Sequence, residues 1–270
     1  MNKLEIQESL APTAIAAAIE AGLAIIEVYG TDIQVEMKKD HSPLTIADKR
    51  ANDIITKALE VTGLPILSEE GRDIPYEERK DWDYYWLVDP LDGTKEFIKR
   101  NGEFTVNIAL MKGHQPVYGV IYVPVRCSLY FGGKSYKSYK VVGIDEVLDQ
   151  YDHYLDTAAK LPIKGESRPY TVIASRSHMS DQTKSYIEEV KKKKGNVVLS
   201  SVGSSMKLCM IAEGRADEYP RFAPTMEWDT GAGQAIIEGA GGKVYHYESG
   251  KELMYNKKNL LNDWFLATKV

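Results

Sequence analysis

Residues 84–97 read Tyr-Tyr-Trp-Leu-Val-Asp-Pro-Leu-Asp-Gly-Thr-Lys-Glu-Phe. The apolar run at 84–88 has the length and composition of a buried strand. It ends in two carboxylates, Asp89 and Asp92, followed at once by Gly93 and Thr94. Pro90 fixes one φ angle and Gly93 admits a tight bend, so the chain turns sharply at the strand end. Both carboxylates can then face one point. Like charges that close repel, and a hard divalent cation such as Mg2+ relieves the repulsion. Spacing alone fits an acidic surface turn equally well.

Further acids weigh against the surface turn. Leu64-Pro65-Ile66-Leu67-Ser68-Glu69-Glu70-Gly71 is a second short apolar run ending in acids. Met226-Glu227-Trp228-Asp229-Thr230 puts two more before a helical stretch at 232–238, and Asp48 adds one near the N-terminus. Mg2+ is commonly bound by a few carboxylates together with water and phosphate oxygens. Singly, each acid reads as a helix cap or a solvated side chain.

Asp-Pro-Leu-Asp-Gly-Thr at 89–94, Glu-Glu at 69–70 and Trp-Asp at 228–229 resemble the three signatures of the Mg2+-dependent, lithium-sensitive phosphomonoesterases. That superfamily includes inositol monophosphatases, fructose-1,6-bisphosphatases and 3′(2′),5′-bisphosphate nucleotidases. Residues 86–110, 174–178, 203–207 and 213–222 resemble the bacterial nucleotidases more closely, and the similarity covers most of the chain. The resemblance implies a layered α/β/α/β/α sugar-phosphatase fold, an α+β / α/β class, and two or three Mg2+ ions. It implies Glu69 as a ligand of the metal that holds the attacking water. Asp89 is implied as a bridge between two ions, Leu91 as a carbonyl ligand, and Asp92 and Asp229 as ligands of the second ion. Asp48 and Thr94 resemble the pair that orients and deprotonates the water. His178, Ser204, Lys207 and Arg221 are implied to hold a remote phosphate or the nucleotide.

Elementary chemistry runs parallel to the name. A phosphate monoester repels nucleophiles because it is anionic, and metal ions neutralise that charge. In-line attack by water then needs positioning more than a protein nucleophile. Gly93 and Thr94 open an expected helix at Lys95, and Gly203-Ser204-Ser205 opens another; free N–H groups at such starts suit phosphate. Taken singly, Lys207 reads as a surface lysine and His178 as a core or helix-start histidine.

The chain has 270 residues, 43% hydrophobic and 27% charged, an ordinary soluble globular balance. A formal net charge of -5 argues against a nucleic-acid polymer as partner and is compatible with a small anionic substrate. Cys127 and Cys209 sit in no metal or nucleophile pattern and read as reduced, partly buried thiols of a cytoplasmic protein. No stretch reads as a membrane span or a signal peptide, and a monomer or homodimer is expected.

Along the chain, helices are expected at 11–29 (closed by Gly30), 48–60, 182–194 (closed by Gly195) and 204–213. Strands are expected at 104–111, 116–130 with a break at Pro124, 170–174, 196–200, 241–247 and 260–268, with an antiparallel hairpin turning at 112–114. The Lys191–Lys194 run reads as a solvated helix end or a phosphate patch. Residues 134–166 hold at most a small helix near 145–155 and are given no catalytic role. The expected division is an α+β half at 1–166, carrying most metal ligands, and an α/β half at 167–270, carrying nucleotide contacts and Asp229.

The expected activity is Mg2+-dependent hydrolysis of adenosine 3′,5′-bisphosphate to AMP and phosphate, with phosphoadenylyl sulfate as a further substrate, in sulfur assimilation. One rival is an inositol monophosphatase, which does not need the remote basic set. Another is a non-catalytic nucleotide sensor, which does not need Asp48 and Thr94.

Overall fold

The structure is a computed structural model that describes residues 6–31, 35–37, 43–148, 150–165, 167–174 and 179–269. After a π-helical turn at Ile6–Leu10, the alanine-rich α1 (Ala11–Tyr29) lies against α2 (Ile46–Glu60). A small hairpin of β1 (Val35–Met37) and β2 (Pro43–Thr45) leads into α2.

The large sheet has seven strands in the order β3-β4-β5-β6-β7-β8-β9. They are β3 (Ile66–Ser68), β4 (Tyr84–Asp92), β5 (Thr105–Lys112), β6 (Gln115–Val123), β7 (Ser128–Gly133), β8 (Lys137–Val142) and β9 (Ala159–Lys160). Only β3 and β4 are parallel. The turn helices α3 (Tyr76–Arg79), α4 (Thr94–Ile98) and α5 (Tyr151–Asp156) sit in its connections. The smaller sheet has the order β11-β10-β12-β14-β13, from β10 (Tyr170–Ile173), β11 (Val197–Ser200), β12 (Glu218–Arg221), β13 (Lys243–His246) and β14 (Phe265–Thr268). Its helices are α6 (Asp181–Lys194), α7 (Met206–Ala212) and α8 (Gly231–Gly239).

Side-chain alternation explains the layers. Trp86 and Val88 of β4, Val106, Ile108 and Leu110 of β5, and Tyr118, Val120 and Tyr122 of β6 join α1 and α2 in one core. The intervening Tyr85, Leu87, Ala109, Met111, Ile121 and Val123 join α7, α8 and the smaller sheet in a second core. A third, small core lies between β10 and α6. The order α1/α2, large sheet, α7/α8, smaller sheet, α6 is the layered fold expected from the sequence.

Several expectations need correction. β4 runs to Asp92 instead of ending at Val88, because a register shift between Asp89 and Asp92 lets the strand continue past Pro90. α2 begins two residues before Asp48. Thr45 is its N-cap, and Asp48 closes a capping box. Gly30 ends α1 in right-handed backbone, at φ −75°. Residues 134–166 form β8 and β9, and the helix there is only Tyr151–Asp156. β12 was not foreseen, since Pro220 reads as a strand breaker. α1 is also long and apolar enough to cross a membrane by length and composition, at 19 residues and mean hydropathy 1.6. Its residues Ala14, Ile15, Ala18, Ile19 and Ile25 are instead buried in the first core.

The α8 helix lies so close on β6 that a Cβ at Gly119 would sit 2.2 Å from the Ala232 carbonyl oxygen. Gly119→Ala is expected to destabilise the protein by about 1–3 kcal/mol, read by urea unfolding. An unchanged midpoint would contradict this packing.

Candidate active site

The strand ends of the large sheet build the site. Pairing of β3 with β4 continues one residue further, as Glu69 N–H donates to Val88 O at 3.1 Å. Glu69 therefore arrives beside Asp89. Ser68 Oγ donates to Asn52 Oδ1 at 2.8 Å and so ties this strand end to α2. Asp229 comes from the 3-10 turn Glu227–Asp229, where Met226 N–H donates to its Oδ2 at 2.9 Å. Carboxylate oxygens of Glu69, Asp89 and Asp229 all lie within 4.8 Å of one another.

Asp89 is 2% exposed, and Leu91 N–H donates to its Oδ1 at 3.1 Å. Burial, then repulsion from Glu69, Asp92, Asp229 and Asp48, pushes its carboxyl well above the usual range. Asp229 is driven the same way by burial, Asp92 and Glu69. A set of hard oxygen donors with mutual repulsion, without histidine or cysteine, fits Mg2+ and not a softer metal.

The expected water-activating pair is in contact. Thr94 Oγ1 donates to Asp48 Oδ1 at 3.1 Å. Asp48 Oδ2 accepts from Thr45 N–H at 2.7 Å and from Thr45 Oγ1 at 2.5 Å. The capping box thus fixes the carboxylate that faces Thr94. Gly93 holds φ 95°, and a Cβ there would meet Glu103 O at 3.1 Å and Ser204 Cβ at 3.3 Å. Only glycine fits this turn without strain.

A cavity of about 370 Å³ opens beside the acids, lined by Asp92, Gly93, Asp229, Ser204, Lys207 and Arg221 among others. Four of the six predicted substrate residues therefore meet there. Thr94 is not part of the lining, and His178 lies outside the described residues. The helix-start reading of 203–205 changes. The anion at the start of α7 is the protein's own Asp92, whose Oδ2 accepts from Ser204 Oγ at 2.8 Å and Ser205 N–H at 2.6 Å. Lys207 Nζ donates to Val202 O at 3.2 Å and Ser204 O at 2.8 Å. Burial pushes the Lys207 ammonium down to about 8; Asp92 opposes this and Arg221 adds to it. Arg221 donates to Pro224 O at 2.8 Å through one terminal nitrogen, while its buried Nε has no hydrogen-bond partner among the described residues. Burial raises the neighbouring Tyr219 hydroxyl to about 12 against the pull of Arg221.

Sequence reasoning missed Lys95, Glu96 and Lys99, which line the cavity from α4. Lys95 and Lys99 stand four apart on one helix face, a spacing that was legible. It also missed a structural role for Glu227. That residue is 0% exposed and accepts from Asn256 N–H at 2.6 Å and Lys257 Nζ at 2.6 Å, which anchors the following loop. The lysine run at the end of α6 lines no part of the cavity, and Lys191 pairs with Glu188 at 2.7 Å.

A sheet-edge carboxylate cluster, a capped acid–threonine pair and a basic cavity on a five-layer fold define a phosphomonoesterase site. The family model for the inositol monophosphatase family matches residues 6–267, and the chain belongs to that family. Within it, the chain is 42% identical over 259 residues to the 3′(2′),5′-bisphosphate nucleotidase CysQ of Salmonella typhimurium, covering 93% of this chain and 96% of that one. It resembles the crystal structure of CysQ from Bacteroides thetaiotaomicron at TM-score 0.90 and 49% identity, covering 97% of each chain. The Thermotoga maritima IMPase shares the fold at TM-score 0.69 and 20% identity, over 94% of this chain and 89% of that one.

Asp89→Asn removes a buried charge and keeps the acceptor for Leu91 N–H. In EDTA the variant is expected to melt at or above the wild-type temperature. A Mg2+ concentration about 100 times Kd should stabilise the wild type by about 2.7 kcal/mol and the variant far less. Equal Mg2+ stabilisation of both, in thermal unfolding, would remove Asp89 from the metal site.

Proposed function

We propose that the chain is a Mg2+-dependent 3′(2′),5′-bisphosphate nucleotidase that cleaves adenosine 3′,5′-bisphosphate to AMP and phosphate, and accepts phosphoadenylyl sulfate. The observation that carries the substrate choice is Arg221 on the cavity wall, whose Nε, sealed from water, has no hydrogen-bond partner among the described residues. A buried donor without an acceptor is costly, and an anionic oxygen of the ligand relieves it. An inositol with one phosphate, held at the acids, offers no second anion to this wall.

In this reading Glu69, Asp89, Asp92, Asp229 and the Leu91 carbonyl hold two or three Mg2+ ions. When bound, the ions neutralise the phosphate, lower the pKa of water and stabilise the leaving oxygen. Thr94 Oγ1 takes a proton from the attacking water as its own passes to Asp48 Oδ1. The Thr45 contacts keep that carboxylate aimed. Gly93 lets the backbone approach the scissile phosphate, and Arg221 with Lys207 grips the remote one. The half at 1–166 then carries most of the metal ligands and the water-activating pair, and the half at 167–270 carries Asp229 and the remote-phosphate contacts. The contact between Thr94 and Asp48 favours catalysis over a purely sensing role.

Phosphate release is to be compared for adenosine 3′,5′-bisphosphate and inositol 1-phosphate, with Mg2+ and with EDTA. A Mg2+-dependent preference for the bisphosphate is expected; a preference for inositol phosphate would overturn the substrate assignment. Arg221→Met should raise KM for the bisphosphate roughly 10–100-fold with kcat retained, since a charge-assisted hydrogen bond is worth about 1.5–3 kcal/mol. Thr94→Ala should instead lower kcat by roughly 10²–10⁴ with KM little changed. A fall in KM-dependent terms alone would deny Thr94 a part in proton transfer.

A further inference from the structure

β5 turns Thr105 and Asn107 toward the cavity side of the large sheet, where they are 0% and 1% exposed. The Thr105 hydroxyl lies within hydrogen-bond distance of three side-chain oxygens. They are Asn107 Oδ1 at 3.0 Å, Ser204 Oγ at 2.6 Å and Ser205 Oγ at 2.7 Å. Thr105 Oγ1 thus sits at the centre of a cluster in which three hydroxyl protons are shared over five close contacts. Ser205 Oγ also donates to Asn107 Oδ1 at 2.7 Å. The network ends on Asp92, where the bonds from Ser204 Oγ, Ser205 N–H and, at 3.5 Å, Asn107 Nδ2 all fall on Oδ2. Among the described residues no hydrogen bond falls on Oδ1, which could therefore take a cation. Ser204 holds φ 55°, a left-handed conformation that a non-glycine residue keeps only when its surroundings enforce it.

We propose that Thr105 is a positioning residue that couples the cation-holding carboxylate of Asp92 to the nucleotide wall of the cavity; this rests on the nucleotidase reading. Residues 203–205 lie between the two. Asp92 holds them from one side, and Lys207 grips the Ser204 carbonyl from the other. An ion on Oδ1 fixes Asp92, and through Oδ2 it fixes the loop that Lys207 leans on. Cation and nucleotide then favour the same loop arrangement, and each tightens the other by the same factor. Valine at 105 keeps the shape and the charge. It removes the hydroxyl that joins Ser204, Ser205 and Asn107, so that the two serines keep only their separate bonds to Asp92 and Asn107.

AMP tests this, because it carries the remote phosphate and lacks the scissile one. Its affinity is to be measured by calorimetry at low and at saturating Mg2+, in the wild type, Thr105→Val and Thr105→Ser. In the wild type, Mg2+ is expected to tighten AMP binding by at least about fivefold. In Thr105→Val the tightening should shrink to within about twofold, and half-saturating Mg2+ should rise roughly 10-fold. Thr105→Ser should restore both. All three proteins carry the same charge, so plain attraction between ion and phosphate does not separate them. An unchanged Mg2+ dependence in Thr105→Val would overturn the proposal. Absence of AMP binding to the wild type at any Mg2+ concentration would instead overturn the nucleotidase reading, and the coupling with it. Should Thr105→Val not fold, Ser205→Ala keeps the backbone N–H on Asp92 and removes one arm of the network. A weaker Mg2+ dependence than wild type is expected there, and an unchanged one would again refute the coupling.

Discussion

Repulsion among Glu69, Asp89 and Asp229 is the constraint on which the site depends. Their oxygens lie within 4.8 Å of one another, and Asp89 is almost sealed from water. Single backbone donors, Leu91 N–H on Asp89 and Met226 N–H on Asp229, offset part of the cost. A charge buried among like charges needs more than one neutral hydrogen bond. Keeping these groups together costs the fold stability, and a divalent cation bound among them would offset that cost. That is why three separate turns converge on one point instead of spreading their acids over the surface.

The large sheet makes this convergence rigid. Each central strand sends alternate side chains into two different cores, so neither face is free to slide. β5 illustrates the economy. Its Val106, Ile108 and Leu110 close the core under α1 and α2, while Thr105 and Asn107 face the carboxylates from the other side. A register slip of one residue would bury the wrong set and dismantle the site at the same time. Side chains carried on paired strands are held more tightly than those on loops, which suits chemistry that depends on positioning.

Much of this was legible beforehand. The layered fold, the helix at Ala11–Tyr29, the hairpin at 112–114 and the acid set all followed from pattern or resemblance. The misses have physical causes. Pro90 reads as part of the turn that ends its strand, yet a bulge accommodates it, and the unforeseen β12 holds Pro220 within only four residues. Thr45 capped α2 earlier than the apolar period suggested. In the 134–166 segment, β8 carries polar residues on a partly open face, so it gives little alternation to read. At the site, Ser204 follows from the resemblance as a contact for phosphate or nucleotide, and the Gly-Ser-Ser helix start by itself suits an anion. The anion it meets is Asp92, more than a hundred residues away in sequence, and no local pattern reports such a contact.

Such carboxylates could serve any phosphate monoester, since cations held by them would meet only the phosphate. Selection has to come from atoms that contact the rest of the molecule. On the cavity wall the proposed groups are Arg221, whose Nε has no hydrogen-bond partner among the described residues, and the Lys207 ammonium, whose third proton is not used on Val202 or Ser204. In that reading, binding energy gathered there would hold the substrate while the reaction occurs at the acids. A wall that grips a second anion therefore does two things at once. It rejects ligands that lack the anion, because its buried donor stays unpaired, and it aligns those that have it for in-line attack.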